Sequence, residues 1–474
     1  MPDETTESSS TAIDNLACWS LADEPAFRDK LALQQAKLLV LDSLGCAFAA
    51  LADHAMDEVV GAVHAWGGTP ESTVIGGQEK TSVLNAVLAN GALVRVLDLN
   101  DLQFIEKDGA LAVSGHASDN IPVALAVGEK LGVSGLAVLE SIVMAYELYH
   151  RLRKLMAENS QWDPSSVSGL IGAAVTGRLM RLSPDRQANA LGLAAARTAV
   201  PRIVRKGEMS AGKSLANALV AQNGVQSALL AATGLTGPRE ALDHRDGLNQ
   251  VFEPARGLAI LWEKTGQPPA ILSSHMKSYP CIGTAQTLVT ATLDLHDKLR
   301  GRLQLIKKIE VIMSDVPFVR HQQADRKRSN PQTREAADHS FTFLPCVALM
   351  DGELTSRQFE NERWIEPETR RLMDRVEMGV AADLRDRALG SMPCRLRVQL
   401  TSGEEVVSEC LYPPGHSFPD KGLNPQAIKA KFHAFSEPVL SEDARARIID
   451  AVERVDGAAS IRGMMSLLSV DKFS

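Results

Sequence analysis

Residues 90–122 contain side chains of the kinds that proton-transfer chemistry needs. Asp98 and Asp101 follow an apolar run, and His116 lies in a segment rich in Gly, Ser and Asn just before Pro122. A carboxylate can hold or take a proton, an imidazole titrates near neutrality, and free N–H groups at a helix start can bind an anion. The alternative is that the two acids cap helices and that His116 is a hydrogen-bonded core residue. The residues alone favour this simpler alternative.

Lys213 is a third candidate, at the end of a Gly/Ser-rich segment that opens a predicted helix. A helix N-terminus disfavours a cation, so this lysine needs an anion near it. An acidic substrate and a carboxylate of the protein itself are two explanations that the sequence leaves open.

Further polar groups stand at two later helix starts. Lys277 and Tyr279 precede Gln286 in a basic and aromatic segment, and His339 follows Asp338. The first segment could bind a carboxylate, and His339 could titrate. The alternatives are a surface linker with one buried tyrosine and a helix capped by Asp338.

Two kinds of periodicity divide the chain. Apolar residues at helical spacing run through residues 12–264 and return in residues 412–474, whereas residues 265–411 mix helices with alternating strands. Arg395–Leu400 and Glu405–Leu411 predict a hairpin. We therefore predict a mainly α protein with a large all-helical domain and a smaller α+β domain, in which the last helices pack on the large domain or cover its edge.

The remaining predictions come from composition. Residues 1–11 are polar and predict a disordered tail. A net charge of −8 argues against a nucleic-acid partner. No secretory signal is apparent, and the apolar run Leu38–Leu51 is too short to span a bilayer, so we predict a cytoplasmic protein without a membrane segment. The six scattered cysteines and the lack of a Gly-x-Gly-x-x-Gly or phosphate-loop motif predict no metal, dinucleotide or ATP.

Six short motifs, in order along residues 12–435, resemble those of the MmgE/PrpD family. This family includes 2-methylcitrate dehydratases, cis-aconitate decarboxylases and iminodisuccinate epimerases. The motifs are Asn90-Gly91 with Leu97-Asp98-Leu99-Asn100-Asp101, Gly115-His116-Ala117-Ser118, Lys213 with Asn223-Gly224, Tyr279-Pro280-Cys281, Ala337-Asp338-His339-Ser340 and Tyr412-Pro413-Pro414-Gly415. The resemblance implies a large all-helical domain built from both ends of the chain with a smaller α+β domain inserted between them, and a homodimer. We expect a reaction that needs no cofactor.

The resemblance also implies site residues. Asp98, His116 and Lys213 match pocket positions of the family, and we expect them to be catalytic. The chain departs from decarboxylase-like members at Asp163, which replaces a histidine, at residues 282–286 and at Phe343. We expect Asp163 to disfavour an anionic group. The expected substrate contacts are Asp101, Asp163, Lys277, Tyr279, Gln286 and His339.

The leading hypothesis is a metal-independent lyase, most simply a dehydratase, acting on a small polycarboxylate or hydroxy acid. His116 would be base or acid, Asp98 its partner or the opposite acid, and Lys213 the carboxylate anchor. The alternatives are an epimerase or isomerase, a decarboxylase of a related acid, and a non-catalytic acid-binding protein that keeps the fold.

Overall fold

Helices make up most of the N-terminal half. The computed structural model describes residues 10–470 except 108–109, 157–160, 207–208, 249–250, 253–256, 386–389 and 418–421. Residues 1–9 of the predicted tail lie outside this range, and Thr11 already caps the first helix through a capping box with Asp14. The helices are α1 (Ala12–Leu21), α2 (Lys30–Ala52), α3 (Asp57–Trp66), α4 (Val83–Arg95), α5 (Ile121–Leu131), α6 (Gly135–Leu155), α7 (Ser168–Leu179), α8 (Pro184–Ala195) and α9 (Gly212–Ala232).

Short strands interrupt these helices, so the prediction of an all-helical domain is wrong. They are β1 (Ser72–Thr73), β2 (Lys80–Thr81), β3 (Leu102–Lys107), β4 (Ala110–Gly115) and β5 (Ser274–His275), and β3 pairs antiparallel with both β4 and β5. The segment before His116 reads as a polar loop, but Leu102 and Phe104 alternate with Gln103 and enter a hydrophobic core. The Gln103 amide donates to the Ala270 carbonyl at 2.7 Å. Burial of all four residues from Leu102 to Ile105 therefore outweighed the loop-like composition.

The middle of the chain forms an α+β unit. Its helices are α10 (Gln286–Leu299), α11 (Pro317–Ala324), α12 (Arg326–Ser329), α13 (Arg334–Ala337), α14 (Phe343–Asp351) and α15 (Pro367–Met373), and its strands are β6 (Ile306–Ser314), β7 (Val376–Ala381), β8 (Cys394–Leu400) and β9 (Glu405–Cys410). The sheet order is β7-β6-β8-β9. The predicted hairpin of β8 and β9 is confirmed. The helix predicted over residues 366–376 ends early, and Val376 begins a strand parallel to β6.

The chain then returns to the first helices with α16 (Pro425–Ser436), α17 (Glu442–Glu453) and α18 (Arg462–Ser466). Phe432 of α16 lies 6.3 Å from Phe48 of α2, measured between ring centroids. One hydrophobic core draws on both ends of the chain, and a second core lies between the sheet and helices α10 and α14. A third, small cluster consists of Val63, Val74, Leu88, Ala89 and Ala218. The two-domain division remains a prediction.

Helix α2 is longer than the apolar run noticed in the sequence. By length and composition it could cross a membrane, but 83% of its apolar window is buried inside the fold. Burial of this kind is what a core helix of a folded domain shows.

Small residues bring α7 and α9 close together, as the sequence predicts. A Cβ added to Gly224 would lie 2.8 Å from the Ala173 backbone nitrogen and even closer to the Gly169 carbonyl oxygen. Only a residue without a side chain fits between these two backbones.

This contact predicts the effect of filling the position. Gly224→Ala should destabilise the fold by roughly 1–3 kcal/mol, because backbone atoms must move apart. Gly61→Ala in α3 is the control, since nothing lies within 4 Å of its added Cβ, and it should stabilise by about 0.5–1 kcal/mol. Urea unfolding measures both, and equal effects would contradict the close-packing account.

Candidate active site

Asp98 is the point at which four segments of the chain meet. It follows α4 in a left-handed backbone conformation, with φ of +49°, which aspartate tolerates better than most residues. Its Oδ1 accepts hydrogen bonds from Arg95 Nη1 and from Lys277 Nζ, each at 2.6 Å. Lys277 also donates to the Asp98 carbonyl oxygen at 2.7 Å. Asp98 is therefore held both by bonds to its carboxylate and by a bond to its backbone carbonyl.

The start of α9 and the segment after α13 complete this cluster. Lys213 Nζ lies 3.9 Å from Asp98 Oδ2, 3.5 Å from Asp338 Oδ1 and 3.3 Å from His339 Nδ1. The anion that the position of Lys213 calls for is thus available within the protein. We call the set the Asp98 cluster; it consists of Arg95, Asp98, His116, Lys213, Lys277, Asp338 and His339.

His116 is placed by the end of β4. Gly115 is required there, because a Cβ would collide with the hydroxyl of Tyr149. The Nδ1 atom of His116 lies 2.7 Å from the Asp101 carbonyl oxygen, to which it must donate. Nε2 then carries the lone pair in the neutral ring, and it lies 3.6 Å from Asp98 Oδ1. The basic nitrogen therefore faces the cluster.

His339 has the matching arrangement on the other side. Its Nδ1 is hydrogen-bonded to Asp338 Oδ1, and its Nε2 lies 3.6 Å from Asp98 Oδ2. Two imidazoles thus flank one carboxylate, each facing a different oxygen. Because Nδ1 donates its proton to the Asp338 carboxylate, the neutral ring of His339 has its basic nitrogen at Nε2, which faces Asp98.

Charge compensation keeps Asp98 ionised. Burial alone would raise its pKa, but Lys277, Arg95 and Lys213 together hold the pKa well below its usual value. Burial likewise opposes ionisation of Asp338, and Lys213 and His339 lower its pKa in spite of this. Both carboxylates are therefore anions at neutral pH.

The two histidines are neutral for the opposite reason. Burial, followed by the charges of Arg95 and Lys277, lowers the pKa of His116 well below 6.5. Burial and Lys213 lower the pKa of His339 to about 4, although Asp338 and Asp98 oppose this. Burial also lowers the pKa values of both lysines, and the carboxylates counter it. Neutral imidazoles next to ammonium groups are suited to taking a proton from a bound acid.

Asp101 supports the site from behind. It is fully buried, and its carboxylate accepts from the Ser118 N–H at 3.2 Å and from the Tyr146 hydroxyl at 2.9 Å. Burial raises its pKa to about 6. These bonds connect Asp101 to the loop that carries His116, and its described contacts are all with the protein.

Asp163 also has a partner in the protein. Its Oδ2 accepts from Arg205 Nε at 2.7 Å, and its Oδ1 accepts from the Ser165 hydroxyl at 2.7 Å. Burial opposes its ionisation, but Arg205 lowers its pKa. The negative charge of Asp163 is therefore paired with a neighbouring cation, and the expectation that Asp163 disfavours an anionic group stays a prediction.

Two expected substrate contacts, Tyr279 and Gln286, belong to the segment that follows Lys277 in the chain. The side-chain amide of Gln286 accepts from the N–H groups of Ser278 and Tyr279 and donates to the Tyr279 carbonyl at 2.9 Å. Tyr279 packs against the second core, as does the fully buried Phe343. Gln286 therefore shapes the turn that follows Lys277, whereas the structure brings together Asp98, His116, Lys213, Lys277 and His339.

Arg95 and Asp338 are members of the cluster that the sequence interpretation missed as site residues. Arg95 lies three residues before Asp98, a spacing that places them on one helical face, and Asp338 adjoins His339. Both signals were present in the sequence, but ordinary helix pairing or capping explained them equally well.

The cluster is poorly suited to a divalent cation. Asp98, Asp338 and His339 each offer a ligand atom, all within 4.8 Å of one another. Arg95, Lys213 and Lys277 already compensate these carboxylates, so a metal ion would meet strong repulsion. In the described parts of the chain, the three groups serve better as anchors for these cations.

A cavity of about 700 Å³ lies elsewhere in the fold, and none of the described residues that line it belongs to the Asp98 cluster. Its lining comes from Trp162, the end of α8, residues 238–248 and Val251.

Two family models match most of the chain. Residues 16–260 match the MmgE/PrpD N-terminal domain, and residues 279–456 match the MmgE/PrpD C-terminal domain. The chain belongs to the MmgE/PrpD family. It is 25% identical to the cis-aconitate decarboxylase of Mus musculus, with 90% of this chain and 86% of the relative covered. It is 26% identical to the 2-methylcitrate dehydratase of Cupriavidus necator, with 81% and 82% covered.

The lowered pKa of His339 predicts a pH dependence. In the unfolded chain this histidine takes up a proton near pH 6.5, whereas in the folded protein it does so near pH 4. Stability must therefore fall as the pH falls between these values, because the unfolded state binds the extra proton. Between pH 7 and pH 5, wild type should lose about 2 kcal/mol more than His339→Gln. Urea unfolding at the two pH values measures this, and parallel losses would contradict a neutral buried His339.

Proposed function

We propose that the protein is a lyase that removes an α-proton from a small carboxylic acid and expels a neighbouring hydroxyl group. The observation that carries the proposal is the pair of neutral imidazoles on either side of the ionised Asp98, with two ammonium groups next to them. The named relatives, a dehydratase and a decarboxylase, support acid substrates.

The charges of the cluster favour an anionic substrate. Three cations, Arg95, Lys213 and Lys277, meet two ionised carboxylates, Asp98 and Asp338. With both histidines neutral, the cluster carries one net positive charge for a substrate carboxylate, and Asp119, which lies 3.8 Å from Arg95 and whose pKa burial raises to about 7, offsets it only in part. Lys213 is the proposed anchor, because its longer distances to the carboxylates leave its ammonium group the less tightly held of the two lysines.

His116 is the proposed base. Its Nε2 takes the α-proton, the C–H electron pair forms the new double bond, and the developing charge on the substrate carboxylate is stabilised by the nearby ammonium groups. The bond from Nδ1 to the Asp101 carbonyl fixes the orientation of the ring. Asp98 then stabilises the imidazolium ion, and its low pKa favours this role over that of a proton donor.

The leaving hydroxyl needs a proton from another group. Lys213 is the proposed donor, since it holds protons at neutral pH and touches both Asp338 and His339. The C–O bond breaks as water forms; the His116 imidazolium then releases the α-proton to solvent and Lys213 takes up one proton from solvent, so that both groups return to their starting states. This division of roles needs no metal ion.

Epimerisation is the second candidate. It needs one base on each face of the α-carbon, and His116 and His339 supply two basic nitrogens on opposite sides of Asp98. Decarboxylation rests on the relatives alone, and a non-catalytic acid-binding protein remains the alternative from another class. We also propose a cytoplasmic homodimer without nucleic-acid or membrane partners, as the family resemblance and the composition suggest.

Proton NMR in heavy water tests these alternatives. Wild type, incubated with citrate-, malate- and aspartate-like acids, should exchange an α-proton and form an alkene. His116→Ala should lower the rate by roughly 10²–10⁴-fold, because it removes the general base. His54→Ala changes an exposed histidine paired with Asp57 and should leave the rate unchanged.

The outcomes separate the candidates. Exchange with inversion and without an alkene would identify an epimerase, and carbon dioxide release would identify a decarboxylase. Ligand-induced thermal stabilisation without any turnover would indicate a binding protein, whereas turnover that persists in His116→Ala would refute the assigned base.

The Asp163–Arg205 pair predicts a change in substrate affinity. Burial lowers the pKa of Lys213, and Arg205 is among the cations that lower it further, so Arg205 lies within electrostatic reach of the proposed anchor. Asp163→Asn weakens the bond that orients Arg205, and KM should rise about 10-fold with little change in kcat. Asp443→Asn, which alters an exposed acid of α17, is the control. Steady-state kinetics with the acid found by NMR measure both, and an unchanged KM in Asp163→Asn would remove Arg205 from substrate binding.

A further inference from the structure

Lys431 is a buried cation that is far from the Asp98 cluster in sequence. It is hydrogen-bonded to the turn of residues 98–101, which we call the Asp98 turn. It lies on α16 and donates from Nζ to the Leu99 carbonyl at 2.8 Å and to Asp42 Oδ1 at 2.7 Å. Its side chain is 5% exposed and that of Asp42 is fully buried. Burial disfavours the charged forms of both residues, so the pair persists only because each compensates the other.

The turn that Lys431 contacts is under conformational strain. Asp98 has a left-handed backbone, which costs a residue other than glycine about 1–3 kcal/mol unless its surroundings impose it. Leu99 is fully buried, so its carbonyl oxygen needs a donor from the protein. The structure supplies an ammonium group for this purpose.

Lys431 is one of three side chains that bind carbonyl groups of this turn. Lys277 donates to the carbonyl of Asp98, Lys431 to that of Leu99, and the His116 ring to that of Asp101. The three donors come from three distant segments of the chain. Two of them belong to the Asp98 cluster, and the third does not touch it.

Packing of helix α16 against α2 holds the backbone of Lys431 in place. The neighbouring Phe432 is fully buried and packs edge-on against Phe48 of α2. A Cβ at Gly45 would lie 3.4 Å from the Phe432 backbone, so the two helices are already in close contact. Asp42, the counter-charge, lies on the same helix α2.

We propose that Lys431, supported by Asp42, is a positioning residue that holds the Asp98 turn in its left-handed conformation. It keeps the Asp98 carboxylate between His116 and His339. The C-terminal helices thereby contribute to the site without contacting a substrate. The kinetic part of this inference rests on the proposed function, but the geometric part does not.

The experiment combines histidine NMR with kinetics. In Lys431→Met, the ring resonances of His116 and His339 should move, because the carboxylate between them shifts. The kcat for α-proton removal should fall about 10–100-fold, with KM within about 3-fold, since the proposed anchor Lys213 is also held by Asp338, which lies outside this turn. Lys429→Met, which removes a half-buried lysine of the same helix paired with Glu453, should change neither readout.

A second variant protects the test against misfolding. Asp42→Asn/Lys431→Met removes both charges together, so no single charge is left buried, and it should show the same resonance shifts and loss of kcat. Unchanged histidine resonances in a folded variant, or a kcat within about 2-fold of wild type, would overturn the positioning role. If wild type turns over no acid, the proposed function fails, and the histidine resonances still decide the role of Lys431.

Discussion

The buried carboxylate of Asp98 is the interaction on which the site depends. An isolated charge in this environment would be very unfavourable. The attraction in an ion pair offsets the free energy of desolvation only when the geometry is good. Here Arg95 and Lys277 approach one oxygen at 2.6 Å, and Lys213 lies near the other. Because these cations come from α4, from the segment before α10 and from the start of α9, neutralising one carboxylate also joins the two hydrophobic cores.

The same compensation determines the protonation of the site. The cations that keep Asp98 ionised also repel protons from the neighbouring histidines, and burial acts in the same direction. A site built this way holds anionic carboxylates, neutral imidazoles and ammonium groups side by side. In water at neutral pH a histidine would titrate independently of these groups; here each protonation state depends on the others. Binding an anionic acid would change this balance by supplying the negative charge that the cluster lacks.

Sequence patterns predicted what is local and missed what is distant. The helix that contains Leu31–Leu51 and the hairpin of β8 and β9 follow from periodicity, because side chains near in sequence form them. The β3–β4 hairpin was missed, since only the distant second core and the Ala270 carbonyl reveal why its residues alternate. In the site, the motif resemblance pointed to Asp98, His116 and Lys213. The bond from Lys431 to Leu99 spans 332 positions, and no local pattern could signal it.

The departures from decarboxylase-like relatives have different physical meanings once their surroundings are known. Phe343 lies in the second core against Phe359 and Trp364, so its ring is accounted for by packing. Asp163 instead carries a negative charge that pairs with Arg205, so the counter-charge for this residue is supplied by the same protein. A histidine at this position could not hold the guanidinium group in the same way, because it lacks the full negative charge. The proposed function therefore assigns α-proton removal to the centre of the site, and it assigns selection of the acid to the Asp163–Arg205 pair.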